Sequence, residues 1–112
     1  MTTDLRPAEA WLPLDVDEQD YVKATFEDLL DTGETVASVY AVTCEAIDGT
    51  DASASSRLSG SAVLESPEVA QLMAGVVDGV TYLVRFIVTT SASRRLVIAG
   101  TVLGTRVGGA AP

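Results

Sequence analysis

The sequence predicts an all-β domain, a sandwich of antiparallel sheets preceded by an extended N-terminal arm. Three observations lead there. Apolar residues make up 47% of the 112-residue chain and aromatics only 5%, so the core must come from aliphatic side chains. Among these, β-branched Val dominates from Val36 onward, and β-branched residues suit a pleated surface. Short apolar runs are separated by Gly, Asp or Ser at intervals of roughly ten residues, the rhythm of a sandwich rather than of βαβ units. The length suits one domain able to bury its core without metals or cross-links.

Residues 1–17 read as the arm. Pro7 and Pro13 interrupt regular hydrogen bonding, yet Trp11, Leu12 and Leu14 gather large apolar groups that a solvated tail would not need. The segment therefore packs either on its own domain or on a neighbouring subunit. The sandwich is expected over 18–107. Tyr21, Lys23 and Thr25 alternate with Val22, Ala24 and Phe26 in a first strand, and Glu27 to Gly33 forms a short helical turn closed by glycine. A second strand covers Thr35 to Thr43, and Asp48-Gly49-Thr50-Asp51 has turn chemistry. The small polar stretch Ala52 to Ser61 is either a loop or a weak edge strand, followed by a strand over Ser61 to Leu64.

Local signals conflict at residues 69–74. Ser66-Pro67-Glu68 spells a helix start, but Gly75 and Asp78-Gly79 leave room for only about two turns, and the turn spacing favours a strand. The clearest strand is Thr81 to Thr90, with Tyr82, Val84, Phe86 and Val88 on one face and Leu83, Arg85 and Ile87 on the other. Ser91-Ala92-Ser93 is a hairpin loop into a last strand from Arg94 to Leu103. Residues 108–112 form a flexible tail, and the glycines generally read as turn formers at strand ends.

The formal net charge is −9, which argues against a nucleic-acid partner because phosphate binding rests on Lys and Arg. Residues 1–34 hold ten acids against Arg6 and Lys23, so the acidity belongs to the N-terminal third. That third is either a solvated face or one half of an interface with a basic partner. Cys44 is the single cysteine and there is no histidine, so an intrachain disulfide, a Cys/His nucleophile pair and a His/Cys zinc site are all excluded. Asp15 to Asp20 lacks the glycine and closing glutamate of a calcium loop, and Glu27-Asp28 reads as solvated. No phosphate loop, dinucleotide fingerprint or nucleophile elbow occurs. The apolar run Val80 to Val88 is short and broken by Arg85, so neither signal peptide nor membrane span is expected. The reading is of a non-enzymatic protein without metal or cofactor. Arg94-Arg95 at the hairpin is the one local basic cluster, placed to meet the acidic segment of a neighbouring copy or merely solvated.

Several segments together resemble small phage virion proteins of the fiber-tail adaptor family. They are Asp20-Tyr21 through Phe26-Glu27-Asp28-Leu29-Leu30, Gly33-Glu34-Thr35-Val36-Ala37-Ser38-Val39, Gly79-Val80-Thr81-Tyr82-Leu83-Val84, and Thr89-Thr90-Ser91-Ala92-Ser93-Arg94. The resemblance spans about residues 15–103. Leu29 and Tyr40 stand where the pattern tends to have Trp, and Ser93 where Gly is usual. The resemblance implies an immunoglobulin-like antiparallel β-sandwich, strands throughout 69–74, and several copies in a ring that joins neck, tail or fibre components. On that basis the expected partners are other virion proteins and further copies of the chain, met through Trp11, Leu12, Leu14, Arg94 and Arg95. The expected setting is the virion, assembled in the host cytoplasm. The alternatives are a capsid decoration protein and a generic immunoglobulin-like protein-binding module.

Overall fold

The computed structural model describes residues 9–106 apart from Leu12, with backbone alone for Glu9 and Ala10. Its strands are β1 Glu9–Ala10, β2 Leu14–Asp15, β3 Gln19–Thr25, β4 Val36–Asp48, β5 Leu58–Glu65, β6 Glu68–Ala74, β7 Thr81–Thr90 and β8 Arg95–Thr105. One sheet has the order β3-β6-β5. The other has the order β4-β7-β8 and is extended by β1 and β2, which both pair with β8. The two pack into a sandwich around a shared core, so the all-β architecture expected from the sequence is the one found.

The core follows from strand alternation. Tyr82, Val84, Phe86 and Val88 of β7 are fully buried and meet Val69 and Met73 of β6 and Ala24 of β3, with Phe26 just beyond it. Leu96 and Val102 of β8 and Val36 and Cys44 of β4 complete the layer. If β3 to β8 are taken as strands B to G, the sheets divide as B-E-D against C-F-G, consistent with an immunoglobulin-like sandwich. Tyr82 near the start of β7 adds a second likeness. Its hydroxyl accepts the N–H of Val77, five residues upstream, at 2.9 Å, in the manner of a tyrosine corner. Val84 stands two residues on, where disulfide-bearing relatives of that fold carry Cys. Cys44 is buried and free, and burial pushes its thiol up to about 11, so it is protonated at neutral pH.

Several expectations change in detail. The pairing is not wholly antiparallel: β1 and β2 run parallel to β8, with Glu9 opposite Gly100 and Leu14 opposite Gly104. The expected boundary at residue 18 falls between β2 and β3, inside the sandwich, and residues 108–112 lie outside the described residues. The strand expected to stop at Thr43 continues to Asp48, because Cys44 and Ala46 still face Val84 and Tyr82 across the ladder. Residues 54–57 make a 3-10 turn and β5 begins at Leu58, while residues 69–74 are the strand that the turn spacing favours.

Glycine is also more than a turn former here. Gly100 and Gly104 lie within β8 and face inward. A Cβ at Gly100 would stand 2.5 Å from the indole of Trp11, so the absent side chain is what lets the arm lie down.

Candidate docking surface

Two polar clusters fix the ends of the sandwich. In the first, Ser91, Ala92 and Ser93 turn the chain from β7 into β8, with Ser93 at a left-handed φ of 63°. Thr90 Oγ1 accepts the N–H groups of Ala92 and Arg94, each at 3.2 Å. The turn returns Arg94 towards the loop after β3. There its Nε donates to Glu34 at 3.0 Å and its Nη2 donates to the Leu29 carbonyl at 2.9 Å and to the other Glu34 oxygen. Glu34 also accepts the Asp31 N–H at 2.9 Å and the Thr90 hydroxyl. Hydrogen bonds from Arg94 above all, then from Asp31 and Thr90, lower the Glu34 carboxyl to about 2. Arg94 does meet the acidic N-terminal third, but in its own chain.

In the second cluster, Asp51 takes Arg57 in a bidentate pair, 2.8 Å from Nε and 3.0 Å from Nη2. It also accepts the Tyr82 hydroxyl at 2.6 Å and the Ser53 N–H at 2.9 Å. These bonds, those of Arg57 foremost, hold Asp51 well below the usual carboxylate range against the cost of burial. Both clusters are closed on themselves, each charge answered inside the chain. Among the described residues no group of three His, Cys, Asp or Glu is gathered as a metal site.

The apolar arm residues pack inward. The Trp11 indole stands edge-on to Phe86, with ring centroids 5.8 Å apart, and Leu14 is buried in the core. Leu12 lies outside the described residues. Trp11, Pro13, Leu14, Val22 and Val102 floor an open groove of about 320 Å³ between the arm and β3, with Glu18, Asp20, Tyr21 and Lys23 at its rim. The structure thus joins Trp11 to Leu14, and Arg94 to the 27–34 turn. It does not join these two pairs: Trp11 bonds to the Thr101 carbonyl, six residues along β8 from Arg95, or roughly 20 Å at strand rise.

Arg95 leads to a surface that the sequence reading did not single out. The residues of β4, β7 and β8 that point away from the core form one outer sheet face, where Ile87 lies between Ala41 and Val97 and Leu83 lies beside Thr101. Leu103 is 42% exposed at one end. Arg85 is at the centre, opposite Thr43 and Ala99, with Glu45 beside Leu83. Tyr40 sits where β4 bulges between Val39 and Ala41 and is 58% exposed. The Arg95 guanidinium carbon lies 3.7 Å from its ring centroid, a cation–π stack that orders both side chains in advance of any partner.

Arg57 and Arg94 are spent on carboxylates, while Arg85 and Arg95 have none within 4.0 Å among the described residues. An aliphatic sheet face carrying a stacked Tyr–Arg pair has the composition of an interface centre. No protein-family model, curated protein or solved structure matches the chain.

Of these residues, sequence reasoning found Arg95 and missed Tyr40, Arg85 and Glu45. The signal was present in the alternation of β7, which places Arg85 outward between Leu83 and Ile87. Glu34, Asp51 and Arg57 were missed because their partners lie far away in the sequence or across a loop.

Proposed function

We propose that this chain is a non-enzymatic structural protein of a tailed-phage virion. In this reading it is an adaptor that joins neck, tail or fibre components as several copies around the tail axis. The sandwich serves as a rigid spacer, and the outer face of β4-β7-β8 with the Trp11 groove are its contact surfaces.

The observation that carries this reading is a convergence. Three of the segments that make the sequence resemble fiber-tail adaptors are distant in the chain: the Asp28-Leu29-Leu30 turn, the Gly33-Glu34-Thr35-Val36 lead-in and the Thr89 to Arg94 hairpin. They meet in one cluster through Arg94, Glu34, Thr90 and the Leu29 carbonyl. The Thr35 N–H donates to Ser91 Oγ at 2.9 Å in the same place. The resembling segments therefore come together in one structural device, and that meeting is the support this reading draws from the geometry.

The test is to purify intact particles, identify the chain by mass spectrometry and locate it by electron cryomicroscopy. Density at the neck, tail or fibre base is expected. Absence from purified particles would overturn the reading, and density on the capsid lattice would replace the adaptor with a decoration protein.

A further inference from the structure

We infer that the outer face of one copy docks into the acid-rimmed groove of the next, so that the chain self-associates head to tail. The two surfaces answer each other in chemistry. The groove has an apolar floor of Trp11, Leu14 and Val102 and carries Glu18, Asp20 and Lys23 at its rim, with Lys23 drawn to Glu68 at 3.7 Å. Neither Glu18 nor Asp20, nor Asp17 beside them, has a cation within 4.0 Å among the described residues. The face offers the converse, an exposed aromatic ring topped by a guanidinium, with a second unpaired guanidinium at Arg85.

Tyr40 in the groove would bring Arg95 to the carboxylate rim and bury apolar surface at the same time, the combination that gives both affinity and register. Pairing two faces with each other is the poorer match. It sets four arginines against the two copies of Glu45 on one desolvated plane, and like charges brought together oppose association. A contact between two different surfaces is heterologous, and such contacts close into rings when the rotation permits.

This inference rests on reading the face and the groove as docking surfaces. Its test is made on the free full-length chain, so its failure is separate from whether the chain is found in virions. Sedimentation velocity from micromolar to millimolar concentration should show self-association of the wild type. Arg95 and Asp20 are both exposed, so Arg95→Glu and Asp20→Arg should leave the thermal midpoint near the wild-type value while each weakens association at least tenfold. The doubly exchanged chain, R95E with D20R, should recover most of the lost affinity, which a merely structural role would not produce. A wild type that stays monomeric throughout overturns the inference. So does a double exchange no better than the singles, or a loss caused by R95E but not by D20R, which would place Arg95 against a surface other than the groove.

Discussion

The two polar clusters are built from the same parts and anchored differently. Each is a carboxylate gripped by an arginine, with a hydroxyl as third partner, and in each the carboxylate side chain is nearly buried, 3% exposed for Glu34 and 4% for Asp51. The difference lies in what the hydroxyl belongs to. Thr90 ends a strand at a hairpin, whereas the Tyr82 ring, near the start of β7, is fully buried in the core. Arg94 is 41% exposed and Arg57 22%. The Asp51 cluster is therefore a fixture of the core that happens to reach the surface, and the Glu34 cluster is a clasp on a turn. The same chemistry fixes the fold in one place and local geometry in the other.

The comparison breaks most visibly at Asp51. Asp51→Ala leaves the Arg57 guanidinium, the Tyr82 hydroxyl and the Ser53 amide without their acceptor. Removing one partner of a largely buried pair costs about 3 kcal/mol. Urea denaturation should show that loss as a lower midpoint with an unchanged slope. Tyr82→Phe removes the hydroxyl but keeps the ring packed, and should cost about 1–2 kcal/mol. If both variants unfold like the wild type, Asp51 is not a fixture of the core.

Acid should separate the clusters next. The folded-state values of Glu34 and Asp51 both lie below their ordinary values of 4.5 and 3.8. Their stabilisation is therefore complete above those ordinary values and is lost as pH falls towards the folded ones. Stability should decline from about pH 5 downwards and still be falling at about pH 2, where Glu34 titrates. Glu34 has the higher ordinary value and so gives up more of its contribution between pH 6 and pH 2.5, whereas Asp51 goes on losing its own at still lower pH. Glu34→Gln should therefore flatten that part of the decline more than Asp51→Asn, as read from urea midpoints at pH 6 and pH 2.5. The opposite order would mean that solvent around the half-exposed Arg94 screens the Glu34 pair.

Glu34→Gln at neutral pH tests the clasp directly. It replaces a charge-assisted acceptor for Arg94 with a weaker one while leaving the hairpin backbone bonds in place. Amide hydrogen exchange at Ala92 and Arg94 should accelerate, and the β7 core amides should keep nearly their wild-type protection. Uniform acceleration across the domain would show that this cluster, too, carries the fold.

How much of this could be read from the sequence follows from the range of each signal. The strands with regular alternation, β3 and β7, were legible because their period is local. The sandwich followed from turn spacing, and the two faces of β7 were separated as the structure has them. The far end of β4 was not legible, since Glu45 between two small residues reads as polar until Val84 and Tyr82 are known to lie opposite. Nor was the parallel edge of the arm, which depends on Gly100 being empty enough to seat Trp11. Arg94 reads as placed either against a neighbour's acidic segment or in solvent, and a charge pattern cannot show that its partner is Glu34 of its own chain. The outer face stayed hidden because it is assembled from three strands, and no single strand shows it whole.

The smallest expected effect concerns the one residue at which a local rule is broken inside the clasp. Ser93 holds a φ of 63°, and a side chain in the left-handed region costs roughly 1 kcal/mol. Ser93 is exposed, and its amide donates to the Thr90 carbonyl at 2.9 Å, a bond that any residue can make. Ser93→Gly should therefore relieve the strain without losing a contact. Glycine's greater freedom in the unfolded chain offsets part of that relief. The net gain should be about 0.5 kcal/mol, a rise of roughly 2–3 °C in the thermal midpoint for a domain of this size. Slower exchange at Ala92 and Arg94 should accompany it, the opposite of the Glu34→Gln result. A loss of stability would instead mean that the serine side chain contributes to the turn, and that the clasp depends on more than Thr90, Glu34 and Arg94.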